Sequence, residues 1–262
     1  MQMKGKQMSY GRDSAGLTHG VMVSEFSDAS IARVLDTVGY DFLIVDCEHG
    51  AFDYSQVSRL CAVAAGINID VLVRIPEVRR EHIGKYLDMG AAGLVVPMVS
   101  TAEEAEQVIQ LAKYAPLGSR GVSVTRAHSG YHVDDLNQYL EEANRYTKIF
   151  VQLETVEAFE NVREIAAVEG LTGLFVGPND LLQDLGVPGK NDDPRLADHI
   201  EHAAYAAHAQ GLESGIITSN GGLISIGVRA GMRVVCQGSD VSLLMAGARA
   251  ARADLKGLLG TD

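Results

Sequence analysis

Short apolar runs and helical segments alternate along almost all of this 262-residue chain. That alternation limits the fold more than any other feature. The runs fall at 21–26, 42–45, 71–75, 94–98, 149–154, 174–178, 213–218 and 234–237. Between them lie stretches with apolar residues at helical spacing, at 27–39, 53–66, 79–90, 101–115, 134–146, 156–169, 194–210 and 222–231, and a closing helix at 241–259. A short helix is expected around 179–185. Several segments end in glycine, as helix ends commonly do, and Thr101 with Glu104 forms a capping box. Apart from polar residues mostly near their ends, the runs are apolar, the pattern of a parallel strand buried on both faces. Eight such units in about 250 residues predict a (β/α)8 TIM barrel of class α/β. No GxGxxG follows the first run, which argues against a dinucleotide-binding open sheet. The expected organisation is one barrel domain over 21–262 behind a lead-in at 1–20.

The net charge is −12 and the pI about 5.1. This balance argues against nucleic acid or an anionic membrane as partner. No apolar run approaches the roughly 20 residues of a membrane span, and residues 1–13 do not read as a signal peptide. Cys47, Cys61 and Cys236 are odd in number and far apart, which suits reduced thiols rather than a disulfide framework or a metal pair. A cytoplasmic protein is expected.

In a barrel of this kind the chemistry lies at the carboxyl ends of the strands. There the sequence puts Glu25, then Asp46, Glu48 and His49, then Arg74, then Gln152 and Glu154, then Gly177 to Asp180, and finally Thr218 and Ser219. Glu154 and Asp180 close two neighbouring runs. Two converging carboxylates suggest a hard divalent cation, Mg2+ or Mn2+; the same residues also read as a solvated glutamate and an N-cap aspartate. Asp46 precedes His49 by three residues and could orient its ring as a general base. Arg74 suits a carboxylate or an enolate oxygen, or a salt bridge to Glu154 or Asp180. None of the seven lysines closes a strand, which excludes a Schiff-base mechanism. The stretch 116–133 is a long loop, a common place for function. Its His128 and His132 are expected at the surface, as are His199, His202 and His208.

These residues form an ordered series of motifs: Asp46-Cys-Glu-His-Gly, Val73-Arg74-Ile-Pro, Val96-Pro-Met-Val, Gly118-Ser-Arg-Gly-Val, Val151-Gln-Leu-Glu154 and Val176-Gly-Pro-Asn-Asp180-Leu. The series resembles the HpcH/HpaI aldolases, metal-dependent (class II) pyruvate aldolases, from about Gly20 to about Leu259. The resemblance implies a (β/α)8 barrel, assembled as a hexamer with the last helix exchanged between subunits. It implies Glu154 and Asp180 as ligands of Mg2+ or Mn2+, with Co2+ a further option. It implies Arg74 and Gln152 as pyruvate contacts, and the turn Gly177-Pro178-Asn179 as a carboxylate-binding helix start. His49 with Asp46 matches the catalytic dyad, and Ile217 matches a hydrophobic residue beside the substrate.

The implied reaction is reversible cleavage of a 4-hydroxy-2-oxo acid to pyruvate and an aldehyde through a metal-stabilised pyruvate enolate. Other uses of the same enolate are oxaloacetate decarboxylation and carbon–carbon cleavage of the macrophomate synthase or citrate lyase kind. A barrel that only binds a 2-oxo acid is the non-enzymatic reading. Two departures bear on the substrate: Val23 stands where well-known members carry tryptophan, and Glu25 where they carry a small residue.

Overall fold

The computed structural model describes residues 16–259; most of the lead-in expected at 1–20 lies outside them. Eight parallel strands, each hydrogen-bonded to the next and the last to the first, close a barrel. They are β1 (Thr18–Val23), β2 (Phe42–Asp46), β3 (Asp70–Arg74), β4 (Gly93–Val96), β5 (Lys148–Leu153), β6 (Gly173–Val176), β7 (Glu213–Ile217) and β8 (Val234–Ser239). The strand-joining helices are α1 (Ser30–Thr37), α2 (Tyr54–Ala64), α3 (Arg80–Asp88), α4 (Ala102–Ala112), α5 (Leu136–Tyr146), α6 (Val156–Glu160), α7 (Val162–Ala166), α8 (Pro178–Asp184), α9 (Pro194–Ala209) and α10 (Gly221–Arg229). The last helix is α11 (Asp240–Leu259). Among the described residues no helix is long and apolar enough to cross a membrane.

Two apolar layers follow from the alternation of side chains along each strand. Outward-facing residues such as Leu43, Val45, Val73, Val151, Leu153 and Leu174 pack beneath the helices in one large core. Inward-facing residues, Met22, Phe42, Ile44, Leu72, Val95, Phe150, Phe175, Val234 and Cys236, fill the barrel. Glycine makes room for the rings inside: a side chain at Gly173 would lie 2.7 Å from the Phe150 ring, and one at Gly215 2.7 Å from Phe175. The same alternation decides which polar residues look into the mouth. Counting on by twos from the inward apolar residues, Ile44 leads to Asp46, Leu72 to Arg74, Phe150 to Gln152 and Glu154, and Phe175 to Gly177.

The structure differs from the sequence reading at several places. β1 starts at Thr18, where its N–H reaches the Arg233 carbonyl at 2.8 Å. The single helix expected at 156–169 is broken into α6 and α7 at Asn161, whose side-chain amide leaves the helix axis to donate to the Ser100 carbonyl at 2.9 Å. The capping box at Thr101 and Glu104 forms as expected. The long loop after α4 lies at the opposite face from the mouth. Arg120 in that loop is paired with Asp88 at the end of α3 at 2.7 Å. His128 is half-buried rather than on the surface. Its Nδ1 pairs with the Tyr139 hydroxyl, and its Nε2 lies 3.0 Å from the Ser123 carbonyl. A cavity of about 330 Å³ opens there between Leu87, Met89, Arg120 and Tyr139. The three cysteines are buried and free.

Candidate active site

Arg74 is the centre of the mouth. β2 and β3 pair in a register that puts Asp46 beside Arg74. The guanidinium donates from Nε to Asp46 Oδ1 at 2.9 Å and from Nη2 to Oδ2 at 2.7 Å, a planar two-point pair. Nε also faces Glu48 Oε2 at 3.2 Å. Burial would raise the Asp46 carboxyl, but the Arg74 bonds and charge and the amides of His49 and Glu48 outweigh it and hold it below the usual range. Burial also works against the Arg74 charge, which Asp46 and Glu48 more than restore. Glu48 is pushed up by burial and by the charges of Asp46 and Asp180, with Arg74 and His49 opposing. The sequence allows Arg74 a salt bridge to Glu154 or Asp180. Instead its partners come from β2 and the turn after it, because strand register brings those carboxylates closest.

The expected contact between Asp46 and the His49 ring is replaced by a different one. Asp46 Oδ1 accepts the main-chain N–H of Glu48 at 3.1 Å and of His49 at 3.2 Å. The His49 side chain is 70% exposed, and its Nε2 lies 3.9 Å from Glu48 Oε2. With both Asp46 oxygens engaged by Arg74 and two amides, Asp46 shapes the turn that carries His49 rather than binding the ring.

Glu154 follows β5 and is buried. Its Oε2 accepts the Met98 N–H at 2.9 Å, and its Oε1 accepts a short bond from the Gln152 amide. Met98 offers that N–H from a left-handed conformation with φ 57°, an uncommon setting for a residue other than glycine. Burial pushes the Glu154 carboxyl up to about 7, helped by the charges of Asp180 and Glu48 and opposed by the Met98 amide and Arg74. Gly177 permits this packing: a Cβ there would lie 2.5 Å from Glu154 Oε1 and 2.7 Å from the Gln152 amide nitrogen. Asp180 stands exposed in the first turn of α8, behind buried Gly177 and Pro178 and exposed Asn179. Ile217 packs against the inner barrel cluster at the end of β7.

The site thus collects Asp46, Glu48, Arg74, Gln152, Glu154 and Asp180 at one mouth, with His49 at its rim. Glu48 and the Met98 amide have no role in the sequence reading. The strand-end position of Glu48 was the available signal; the unusual Met98 backbone had none beyond the neighbouring Pro97. Among the described residues no three His, Cys, Asp or Glu side chains are grouped to hold a metal ion. The donor set fits an ion that takes few protein ligands. Mg2+ typically uses one or two carboxylates and completes its shell with water and substrate oxygens. A buried glutamate raised by neighbouring anions is relieved by such a charge. The side-chain oxygen of Gln152, Oε1, is buried without a hydrogen-bond partner among the described residues, an orphaned acceptor on the side chain whose amide bonds Glu154.

Comparison with known proteins places the chain in a family of the same fold. Residues 21–246 match the sequence model of the family described as HpcH/HpaI aldolase/citrate lyase. The chain is 36% identical over 218 residues to the 4-hydroxy-2-oxovalerate aldolase of Rhodococcus jostii, covering 83% of each. It is 34% identical over 224 residues to the hydroxypyruvate/pyruvate aldolase of Roseovarius nubinhibens, covering 86% of this chain and 87% of that one. The crystal structure of an HpcH/HpaI aldolase from Desulfitobacterium hafniense superposes with a TM-score of 0.88 at 31% identity, over 98% of this chain and 97% of that one. The family match over residues 21–246, the identity to curated aldolases and the shared closed barrel show that this chain belongs to the HpcH/HpaI aldolase/citrate lyase family of carbon–carbon lyases.

Proposed function

We propose that this protein reversibly cleaves a 4-hydroxy-2-oxo acid to pyruvate and an aldehyde. The observation that carries the reading is the fixed Arg74 beside the buried Glu154 and exposed Asp180. Glu154 and Asp180 would hold Mg2+ or Mn2+, since the donors are all oxygen. A cation there supplies Lewis-acid charge to the 2-oxo oxygen of the substrate. Arg74 keeps its Nη1 edge uncommitted among the described residues and directs a second positive charge to the oxygen that becomes the enolate. The Gly177-Pro178-Asn179 turn and the Gln152 amide bind the pyruvate end, and Ile217 packs beside it. His49 takes the proton from the C4 hydroxyl as the C3–C4 bond breaks. The bonding electrons pass to the 2-oxo group, the aldehyde leaves, and the enolate is protonated at C3 to give pyruvate. The test is pyruvate release from a panel of 4-hydroxy-2-oxo acids, and adduct formation from pyruvate and aldehydes, with and without added Mg2+ or Mn2+. No turnover of any member of the panel in either direction would overturn the reading.

Arg74→Lys keeps a charge but cannot make the two-point pair with Asp46. The expected loss in kcat is about 10²-fold or more, as for removing one oxyanion donor. A variant with wild-type kcat would make Arg74 structural.

α11 supports an assembled enzyme. Beyond Asp240 it leaves Leu243, Leu244, Met245, Leu255, Leu258 and Leu259 exposed on a single chain. Such an apolar face is costly in water and suits a protein partner. The expected state is a homo-oligomer, a hexamer by the family resemblance. Light scattering at micromolar concentration checks this, and a monomeric mass contradicts it.

A further inference from the structure

The start of α11 contains a buried carboxylate that the proposed reaction does not use. Asp240 is 5% exposed and lies where β8 ends, at the mouth of the barrel. Its Oδ2 accepts the N–H of Glu25 at 3.0 Å and of Phe26 at 2.8 Å. Its Oδ1 accepts the N–H of Ser24 at 3.3 Å, the Ser24 hydroxyl at 3.2 Å and its own helix's Val241 N–H at 2.8 Å. Burial raises this carboxyl, but the amides of Phe26, Glu25, Ser24 and Val241 outweigh it and keep it ionised. A charged acceptor of several amides is among the stronger polar links a protein makes. It ties residues more than 210 positions apart in sequence.

The segment it holds is the loop after β1, and that loop abuts the His49 turn. A side chain at Gly50, the last residue of Asp46-Cys-Glu-His-Gly, would collide with the Asp46 carbonyl and lie 2.8 Å from the Ser24 carbonyl. The Ser24 backbone therefore presses on the turn one residue from His49. Glu25 and Phe26 project from the same loop with exposed side chains. Arg74 and Gln152 sit on β3 and β5, Glu154 follows β5, and none of the bonds they form reaches this loop.

We propose that Asp240 is a positioning residue: it clamps the β1 loop against the His49 turn and so holds the rim of the site that handles the C4 oxygen and the aldehyde. The clamp belongs to the first residue of α11, so the helix that leaves the barrel is fastened at the same point as the rim. The inference rests on the aldolase reading for its catalytic consequence. Misplacing a reacting group by about 1 Å costs roughly 10²-fold in rate. The clamp should matter to aldol cleavage, which needs His49, and little to decarboxylation of oxaloacetate, which needs only stabilisation of the enolate.

The experiment uses the full chain with saturating Mn2+. Asp240→Asn keeps the shape but replaces one acceptor by a donor, and Ser24→Ala removes only the hydroxyl donor. Hydrogen exchange followed by mass spectrometry reads the amides of residues 24–26. Steady-state kinetics reads aldol cleavage and oxaloacetate decarboxylation in the same preparations. Expected are faster exchange in 24–26 and a ratio of aldol to decarboxylation kcat/KM lowered by about 10-fold or more in Asp240→Asn, within the worth of a misplaced base. Ser24→Ala should change both readouts in the same direction by less, and it serves alone if Asp240→Asn does not fold. Unchanged exchange, or equal loss of both reactions, would overturn the proposal, since a merely destabilised fold lowers both reactions together. A wild type without aldol activity refutes the functional reading instead, and hydrogen exchange then still decides the clamp.

Discussion

Glu154→Ala and Asp180→Ala are each expected to abolish carbon–carbon cleavage while the barrel stays folded. Chelator should do the same to the unaltered protein, and Mg2+ or Mn2+ should restore it. On the proposed reading the effect is large because Glu154 and Asp180 would be the protein's donors to the cation, which would supply Lewis-acid charge to the 2-oxo oxygen. Stability gives a second readout. Burial and the charges of Asp180 and Glu48 hold the Glu154 carboxyl at about 7, against an ordinary value of 4.5. In the metal-free protein the folded state therefore keeps a proton that the unfolded chain has already released. Stability should fall as pH rises from about 4.5 to about 7, by up to about 3 kcal/mol for a shift of this size, and stay reduced above that. At pH 8 a divalent cation that binds only the folded state should raise Tm. Glu154→Gln should remove most of both the pH slope and the Tm gain. Full turnover after exhaustive chelation, or a metal-free Tm that is flat between pH 5 and 8, would count against the site.

The barrel was legible in the sequence for a simple reason. Strands covered on both faces leave continuous apolar runs, and the helices between them keep a 3.6-residue rhythm. The candidate site residues were legible because a barrel puts chemistry at strand ends, and Asp46 and Arg74 end β2 and β3 while Glu154 follows β5, each polar after a short apolar run. Their partnerships were not legible. Asp46 meets Arg74 rather than the His49 ring because closing the barrel fixes the register of β2 against β3, a constraint between residues 28 positions apart. Local spacing favoured the ring three residues away, but a guanidinium offers a carboxylate a better two-point match. The Met98 amide is a product of backbone conformation, which side-chain chemistry does not announce. Asp240 stands one residue before the helix expected at 241–259, and its bonds depend on Ser24, Glu25 and Phe26 arriving from the other end of the chain. The long loop is named by its breakers, but the sequence does not say which face it covers. It joins α4 to α5, and its Arg120 and His128 lie beside Asp70, Ala91 and Ala92 at the strand starts, the face away from the chemistry.

His49→Ala is expected to lower aldol cleavage by roughly 10²–10⁴-fold, the usual worth of a positioned general base. Oxaloacetate decarboxylation should fall much less. On the proposed reading the enolate is common to both reactions and would be served by Arg74 and the Glu154–Asp180 pair. Only an aldol substrate has a C4 hydroxyl proton to remove; decarboxylation reaches the enolate by losing CO2. The placement of His49 suits removal of that proton. Its ring is exposed at the rim, its turn is held by Asp46 through the main chain, and Glu48 lies 3.9 Å from Nε2. Asp46→Asn separates this view from the dyad implied by family resemblance. If Asp46 served the ring, the variant would be a weaker copy of His49→Ala and would spare decarboxylation. Because Asp46 instead holds Arg74 at two points, the variant should depress both reactions and resemble Arg74→Lys. The measurement is kcat/KM for both reactions in wild type, His49→Ala and Asp46→Asn, at saturating metal. Equal loss of both reactions in His49→Ala would remove the histidine as the base at the C4 oxygen. Selective loss of the aldol reaction in Asp46→Asn would return that carboxylate to the histidine.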